Sequence, residues 1–294
     1  MSNSLSQEIQ RSSYPALHEA ADKTSLAAQQ RYLLLSSVRL VALVGVAGAA
    51  LVGPIIAWWA PVSAVILLLV AIASEVLILT LHPERQWYEG RAVAASVKTL
   101  TWKYQVGGDP FGIDVSTTEA DANFLQRLDD IVAEFRTLDL KPAQANQITE
   151  EMRHIRAESL DERRSFYRKG RIEDQREWYA RKSEWNHLRA LRWQIGLVVL
   201  EFVAMLGAIL RATNLLSIDA YGFLAAVAAA GVGWLHIKQH QGLAKAYAVA
   251  SHELASINSR VDAVRNEEEW KRFVDQAEEA ISREHTLWRA SRSI

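Results

Sequence analysis

Residues 40–81 read LVALVGVAGAALVGPIIAWWAPVSAVILLLVAIASEVLILTL and contain one charged side chain, Glu75. The run is interrupted at Trp58-Trp59-Ala60-Pro61, which divides it into residues 40–57 and 62–81. A bilayer core about 30 Å thick is crossed by roughly 20 apolar residues of α-helix, at about 1.5 Å per residue. Both pieces have about this length, so the sequence predicts two membrane-spanning helices joined by a short loop.

A second pair of apolar segments lies at residues 193–210 and 221–237. It carries Glu201 in its first member, with Arg211 and Asp219 in the connection between the two. Four such segments in two tight hairpins are typical of a membrane protein rather than of a soluble core. The sequence therefore predicts an all-α membrane protein with two tandem transmembrane helical hairpins.

Lysine and arginine concentrate on one side of these predicted spans. The hairpin loops hold one such residue, Arg211, whereas the segments on the other side hold many, among them Arg31, Arg39, Arg85, Arg189 and Arg192. Cytoplasmic segments carry the excess of Lys and Arg. Both termini and the central segment are thus predicted to be cytoplasmic.

The segment after the fourth span has a heptad-like pattern. Its apolar or small residues alternate spacings of four and three at Leu243, Tyr247, Ala250, Leu254, Ile257, Val261 and Val264. This spacing is typical of a coiled coil, and each hairpin is predicted to continue inward as a long cytoplasmic helix. The face is a candidate surface for oligomerisation or for a partner. An amphipathic helix in an intramolecular bundle accounts for the pattern equally well.

The whole arrangement occurs twice along the chain. Each copy has a charged amphipathic helix, two spans and a heptad-like extension, and Arg39 and Arg192 precede the first span of their copies. Internal repetition of this kind indicates tandem units. We assign residues 1–140 to the first two-transmembrane unit and residues 141–294 to the second.

Composition and motifs exclude several classes of function. The 294 residues include no cysteine, so disulfides, thiolate metal sites and cysteine nucleophiles are excluded. A net charge of −1 argues against nucleic-acid binding. The glycine-rich residues 106–112 follow no predicted strand and indicate a turn. His236 and His240 share a helix face, but no third metal ligand is evident. We therefore predict neither an enzyme nor a site for a metal or cofactor.

Two carboxylates inside the predicted spans are candidate pore or gate residues. Glu75 and Glu201 lie roughly 9–12 Å inside the cytoplasmic boundary, at about 1.5 Å per helical residue. Charged residues at such depth usually face protein or a water-filled cavity. In an oligomer the two positions are candidates for a carboxylate ring that favours cations. The alternative is a carboxyl group that only hydrogen-bonds a neighbouring helix.

Small residues recur at four-residue spacing within the spans, which is typical of closely packed membrane helices. The candidate packing positions are Gly45, Ala49, Gly53, Ala204, Ala208, Ala225, Ala229 and Gly233.

Several motifs outside the spans resemble a known family. Residues 14–17 read YPAL, residues 98–104 read KTLTWKY and residues 107–111 read GGDPF, while Arg171-Ile172 and Trp178-Tyr179 precede the third span. These motifs are similar to those of two different subtypes of the SLATT family, the two-transmembrane effector domains associated with SMODS nucleotidyltransferases and SLOG sensors. The resemblance implies a bacterial inner-membrane effector, pore-forming or membrane-perturbing, in conflict systems that include anti-phage defence.

These observations give a functional hypothesis and one alternative. We expect a homo-oligomeric pore or ion channel in the lipid bilayer, gated through its cytoplasmic helices. The resemblance implies a nucleotide second messenger or a separate sensor protein as the trigger. The alternative is a non-conducting, membrane-anchored scaffold that recruits a soluble partner through the face near Leu254 and Ile257.

Overall fold

The computed structural model describes residues 14–56, 58–135, 138–140, 146–216 and 220–290, in which all regular structure is helical. In chain order the α-helices are α1 (Ala16–Ile56), α2 (Trp59–Leu81), α3 (Pro83–Val106), α4 (Thr117–Glu134), α5 (Glu150–Ala157), α6 (Leu160–Tyr167), α7 (Asp174–Ala212), α8 (Ala220–Lys238), α9 (His240–Arg260) and α10 (Glu267–Ala290). A π-helical turn, Arg168–Glu173, joins α6 to α7, and a 3₁₀ turn, Val261–Ala263, follows α9.

Four of these helices, α1, α2, α7 and α8, contain apolar stretches long enough to cross a membrane. At most 17% of any such stretch is buried inside the chain. Side chains such as Leu69 and Phe202 are 60% and 63% exposed, and so much apolar surface is stable in lipid rather than in water. The predicted all-α fold with two transmembrane hairpins is confirmed, and the chain is a multi-pass membrane protein. The predicted last residue of the first span, Ala57, lies outside the described residues.

Single left-handed residues separate the second and fourth membrane helices from the helices that follow them. His82 (φ 42°) lies between α2 and α3, and Gln239 (φ 50°) lies between α8 and α9. The His82 N–H donates to the Ile78 carbonyl at 3.1 Å, which closes the last turn of α2. Pro83 then begins α3, where its missing N–H costs no helical hydrogen bond. The predicted inward extensions are therefore separate helices rather than continuations of the spans.

The chain divides into two compact units. The membrane unit contains residues 29–84 and 182–245, and the extramembrane unit contains described residues 14–28, 85–181 and 246–290. Each unit therefore draws residues from both predicted tandem units. The sequence break predicted at Lys141-Pro142, beside the assigned unit boundary, lies outside the described residues.

The extramembrane unit has a continuous apolar core built from several helices. Capping side chains fix the starts of three of them: the hydroxyls of Ser116, Thr149 and Ser159 accept hydrogen bonds from the N–H groups three residues further on. The amphipathic faces of these helices then meet α1 and α3. The core includes Leu17, Ala21, Val93, Val97, Tyr104, Phe111, Phe124, Leu128 and Met152.

The glycine-rich residues 106–112 form a turn that two buried arginines hold in place. Arg163 donates to the Val106 carbonyl at 2.7 Å. The Arg156 guanidinium donates to four carbonyl oxygens, those of Tyr104, Phe111, Gly112 and Val115. Arginine is suited to this role because its planar group carries five N–H donors. The turn thus presents carbonyl oxygens to cations.

Candidate functional site in the membrane unit

Glu75, the carboxylate of the second predicted span, has a partner inside the first hairpin. The Arg39 guanidinium of α1 donates to it, and the two side chains form an ion pair. In the single chain the side chains of Arg39 and Glu75 are 32% and 42% exposed. Opposite charges at membrane depth commonly pair, because a lone charge there is costly. The ion pair ties α2 to α1 and satisfies this carboxylate within the hairpin.

Glu201, on α7, is placed differently. Its side chain is exposed in the single chain, and within the described part of the chain it has no hydrogen-bond or ion-pair partner. The adjacent Phe202 and Val203 are 63% and 50% exposed on the same apolar helix. A carboxylate facing hydrocarbon costs about 2.5–3.5 kcal/mol on insertion scales. Glu201 therefore requires a neighbour or water that the described residues of the single chain do not supply.

The small residues of α1 lie at close approaches between membrane helices. A Cβ atom at Gly45 would be 2.9 Å from Leu67 Cδ1 of α2, which is closer than real Cβ contacts. A Cβ atom at Gly233 of α8 would be 3.5 Å from Leu40 Cδ2. Ala49 is 8% exposed and so is buried in this packing. These positions of the membrane unit allow α1 to contact both α2 and α8.

The remaining candidate packing positions differ in burial. Gly53 lies at the end of the first hairpin, where an added Cβ would meet Ala60 at 3.5 Å. Ala204 and Ala208 are half-buried, while Ala225 and Ala229 are exposed. Three further small residues are packed in the membrane unit without having been predicted from spacing. Ala228 is buried, and Gly48 and Gly231 contact Phe223 and Leu197. The run AAVAAAG over residues 225–231 offers small residues on every face, so spacing alone did not select the buried one.

The heptad-like face of α9 is covered by the chain itself. Leu243 is half-buried, and the later members of the face are buried, with Leu254 and Ile257 only 2% and 4% exposed. The Tyr247 ring packs against Tyr179 with centroids 5.6 Å apart. The α-helix itself ends at Arg260, before the last two members of the heptad pattern, because a 3₁₀ turn begins at Val261. The buried members of the pattern are Tyr247, Ala250, Leu254, Ile257, Val261 and Val264.

A buried ion pair lies in the extramembrane unit and was not found by sequence reasoning. Arg171 and Glu278 have side chains 3% and 0% exposed, with Nη2 and Oε2 2.6 Å apart. Glu278 also accepts hydrogen bonds from Tyr167 at 3.0 Å and Thr99 at 2.9 Å. The carboxylate is thus fully satisfied, which is what a buried charge requires. Burial, with added repulsion from Arg171, lowers the pKa of the nearby Lys98 side chain to about 8.

His236, at the end of α8, and His240, at the start of α9, do not form a metal site with other side chains of the described residues. His240 Nδ1 is 2.7 Å from Asn186 Oδ1, and both residues are buried. Within the described part of the chain, no group of three or more His, Cys, Asp or Glu residues has the arrangement needed to hold a metal ion. His240 therefore pairs with a side chain of α7.

A cavity of about 460 Å³ opens in the extramembrane unit. Side chains of both signs line it, including Lys103, Arg127, Asp130 and Glu134. The Lys103 ammonium forms an ion pair with Asp275 of α10. Sites for small molecules typically have volumes of about 300–1,000 Å³ and a few convergent polar groups. The cavity is therefore a candidate site for a small polar ligand.

The helices and the two intramembrane carboxylates define a class of protein: a helical, multi-pass membrane protein made of two transmembrane hairpins. The chain belongs to the SLATT family. The model of "SMODS and SLOG-associating 2TM effector domain 3" matches residues 15–164, and that of "SMODS and SLOG-associating 2TM effector domain 1" matches residues 167–288. The expected tandem of two different SLATT subtypes is confirmed. Neither the curated proteins nor the solved structures compared with the chain include a match.

Proposed function

We propose that the protein is a membrane effector of a bacterial defence system and that several copies assemble into an ion-conducting pore. The family membership supports a membrane-associated effector in defence. The single observation that carries the pore is Glu201, an exposed carboxylate on an apolar membrane helix that has no partner among the residues described by the structure. Assembly of several chains around a water-filled path would surround each Glu201 with water and would concentrate negative charge there.

The two intramembrane carboxylates then have different tasks. Glu201 lines the path and favours cations over anions, because its charge has no partner in the part of the chain that the structure describes. Glu75 is paired with Arg39 and keeps the first hairpin intact, and it adds little field to the path because the pair is neutral. The negative charge along the path therefore comes mainly from Glu201 in the second hairpin. The proposed function involves no catalysis.

Gating acts through the extramembrane unit in this proposal. The termini and that unit lie in the cytoplasm, with the spans in the bacterial inner membrane, as the Lys and Arg distribution predicts. A nucleotide second messenger or a sensor protein acts there as the trigger. The cavity of about 460 Å³ has a suitable size for a small polar signal. A shift between two packings of the helices would open the spans.

Ion flux from liposomes tests the proposal. Purified full-length protein is reconstituted, and the efflux of K⁺ and of Cl⁻ is compared with that from protein-free liposomes. We expect efflux that favours K⁺, and we expect Glu201→Gln to reduce the preference because the field of the carboxylates is lost. Glu184→Gln is the matched control, since this exposed residue lies on α7 before the apolar stretch.

Two results would contradict the proposal. Because the proposed pore is gated, the assay is repeated with soluble extract of phage-infected cells as a source of the trigger. Liposomes that stay sealed in both conditions, although the protein is inserted and oligomeric, would remove conduction and favour the scaffold alternative. Equal K⁺ preference in the Glu201→Gln and Glu184→Gln variants would show that this carboxylate does not line the path. The scaffold alternative further requires a partner face other than Leu254 and Ile257, since both side chains are buried by the chain itself.

A further inference from the structure

A groove of about 390 Å³ lies in the membrane unit between α7 and α8. Arg189 and Arg192 line one end of the groove, and the residues that line it further along α7 are apolar. At about 1.5 Å per residue, Gly196 and Leu200 lie roughly 6 Å and 12 Å beyond Arg192 along α7. The groove thus changes from cationic to apolar with depth. Its lining includes Arg189, Arg192, Trp193, Gly196, Leu200 and Val227.

Two glycines shape this groove. A Cβ atom at Gly231 would come within 2.6 Å of Leu197 Cδ2, so α7 and α8 approach closely there only because α8 has no side chain at this position. A Cβ atom at Gly196 would meet nothing within 4 Å. The space beside Gly196 is therefore open, and it faces outward from the chain, where the bilayer is the surrounding medium.

The arginines at the mouth of the groove carry uncompensated charge. No carboxylate in the described residues lies within 4.0 Å of Arg189 or Arg192, although the Arg189 guanidinium sits over the Trp185 ring at 4.9 Å. Arg189 is also close enough to Lys238 to repel it electrostatically. The mouth is therefore a cluster of cations without an acidic partner among the described residues.

The first hairpin shows how the chain neutralises an arginine at the corresponding place. Arg39 pairs with Glu75, which lies 36 residues further on. The residue at the same distance after Arg192 is Ala228, which cannot supply a charge. The second hairpin thus keeps its arginine available to an external anion.

We propose that this groove binds an anionic phospholipid, with the phosphate on Arg189 and Arg192 and an acyl chain along the wall from Gly196 to Leu200. Arginine suits this role because its planar group binds phosphate oxygens through two parallel hydrogen bonds. Arg192 directly precedes the predicted span, at the level of lipid headgroups. Basic pockets between transmembrane helices on the cytoplasmic side are typical sites for anionic lipids. The apolar wall favours a lipid over a soluble phosphate.

Native mass spectrometry of the full-length protein in detergent tests the site. The protein is titrated with dioleoylphosphatidylglycerol or with dioleoylphosphatidylcholine, which have the same acyl chains. Each arginine near an anionic headgroup contributes about a fivefold gain in affinity. With two arginines, we expect the first phosphatidylglycerol molecule to bind about 30-fold more tightly than the first phosphatidylcholine molecule. A third titration with sn-glycerol 1-phosphate measures binding of the headgroup without its chains, and we expect none at the same concentrations.

Two pairs of variants locate the site. Arg189→Gln combined with Arg192→Gln is expected to bring the preference for phosphatidylglycerol to within about twofold. Its control is Arg211→Gln, an arginine at the opposite end of α7. Gly196→Leu fills the groove without removing charge, and its Cβ atom would meet nothing within 4 Å. We expect this variant to weaken phosphatidylglycerol binding about tenfold. Its control is Gly207→Leu on the same helix, where an added Cβ also meets nothing within 4 Å.

Three results would overturn the assignment. The first is an unchanged lipid preference in the double arginine variant. The second is equal phosphatidylglycerol binding by the Gly196→Leu and Gly207→Leu variants. It would show that the lipid binds through the arginine charges alone and does not occupy the groove. The third is binding of sn-glycerol 1-phosphate as tight as that of the lipid, which would define a soluble phosphate site. The glycine pair keeps its arginines, so the test stands even if the double arginine variant fails to fold.

Discussion

The Arg39–Glu75 ion pair gives the most direct energetic prediction. Removing one partner of a fully buried pair costs about 3–5 kcal/mol, because the other charge stays uncompensated. This pair is 32% and 42% exposed. We therefore expect Arg39→Gln and Glu75→Gln each to lower the free energy of unfolding by about 2 kcal/mol. The double variant leaves no lone charge and should cost about as much as either single change, so the coupling energy is about 2 kcal/mol.

Reversible unfolding in mixed dodecylmaltoside and SDS micelles measures this coupling, with the fluorescence of the ten tryptophans as the signal. The Arg181–Glu177 pair is the matched control. Its side chains are 66% and 62% exposed, with Nη1 and Oε2 3.4 Å apart on one helix. Such a pair is worth about 0.3–0.5 kcal/mol. If the coupling between Arg39 and Glu75 is no larger than that of the control, the ion pair does not stabilise the hairpin.

Two further predictions concern packing and use thermal unfolding of the full chain. Glu278→Gln leaves a buried guanidinium without its counter-charge and should destabilise the protein by about 3–5 kcal/mol, whereas Glu279→Gln, at an exposed position, should change stability by less than about 0.5 kcal/mol. Equal losses of stability in the Glu278→Gln and Glu279→Gln variants would contradict a stabilising role of the buried Arg171–Glu278 pair. Gly108→Ala would place a Cβ 2.5 Å from Val274 Cγ1 and should cost about 1–3 kcal/mol. Gly242→Ala, in open space within α9, should instead stabilise by about 0.5–1 kcal/mol, and a loss of stability equal to that of Gly108→Ala would refute the steric argument.

The transmembrane hairpins could be predicted because the signal is local. A helix in lipid needs about 20 consecutive apolar residues, and the segments around Leu69 and Val198 meet this requirement by composition alone. The break between the first two spans was also local, since Pro61 falls in the first turn of α2. The breaks at His82 and Gln239 were missed, because residues other than glycine rarely adopt a left-handed conformation.

The contacts between distant residues were beyond sequence reasoning. Glu75 was expected to be a pore residue or a hydrogen-bonding carboxyl group, and its partner Arg39 is 36 residues away on another helix. Arg171 and Glu278 are separated by 107 residues, and each resembles an ordinary charge on a solvated helix face. Periodicity places a residue on a face but does not name what the face packs against. For that reason the sequence alone could not decide whether the heptad-like face of α9 contacts another copy, a partner protein or the same chain.

The central claim is that Glu201 lines a water-filled path rather than facing lipid. The chain has no cysteine, so Glu201→Cys and Phe202→Cys each introduce one thiol. Both variants in liposomes are treated with a membrane-impermeant, positively charged methanethiosulfonate, and the rate of modification is measured. Only the thiolate in contact with water reacts. The account predicts modification at position 201 at least about tenfold faster than at position 202. Equally slow modification at both positions would place Glu201 in lipid or in a dry helix interface and would contradict the pore.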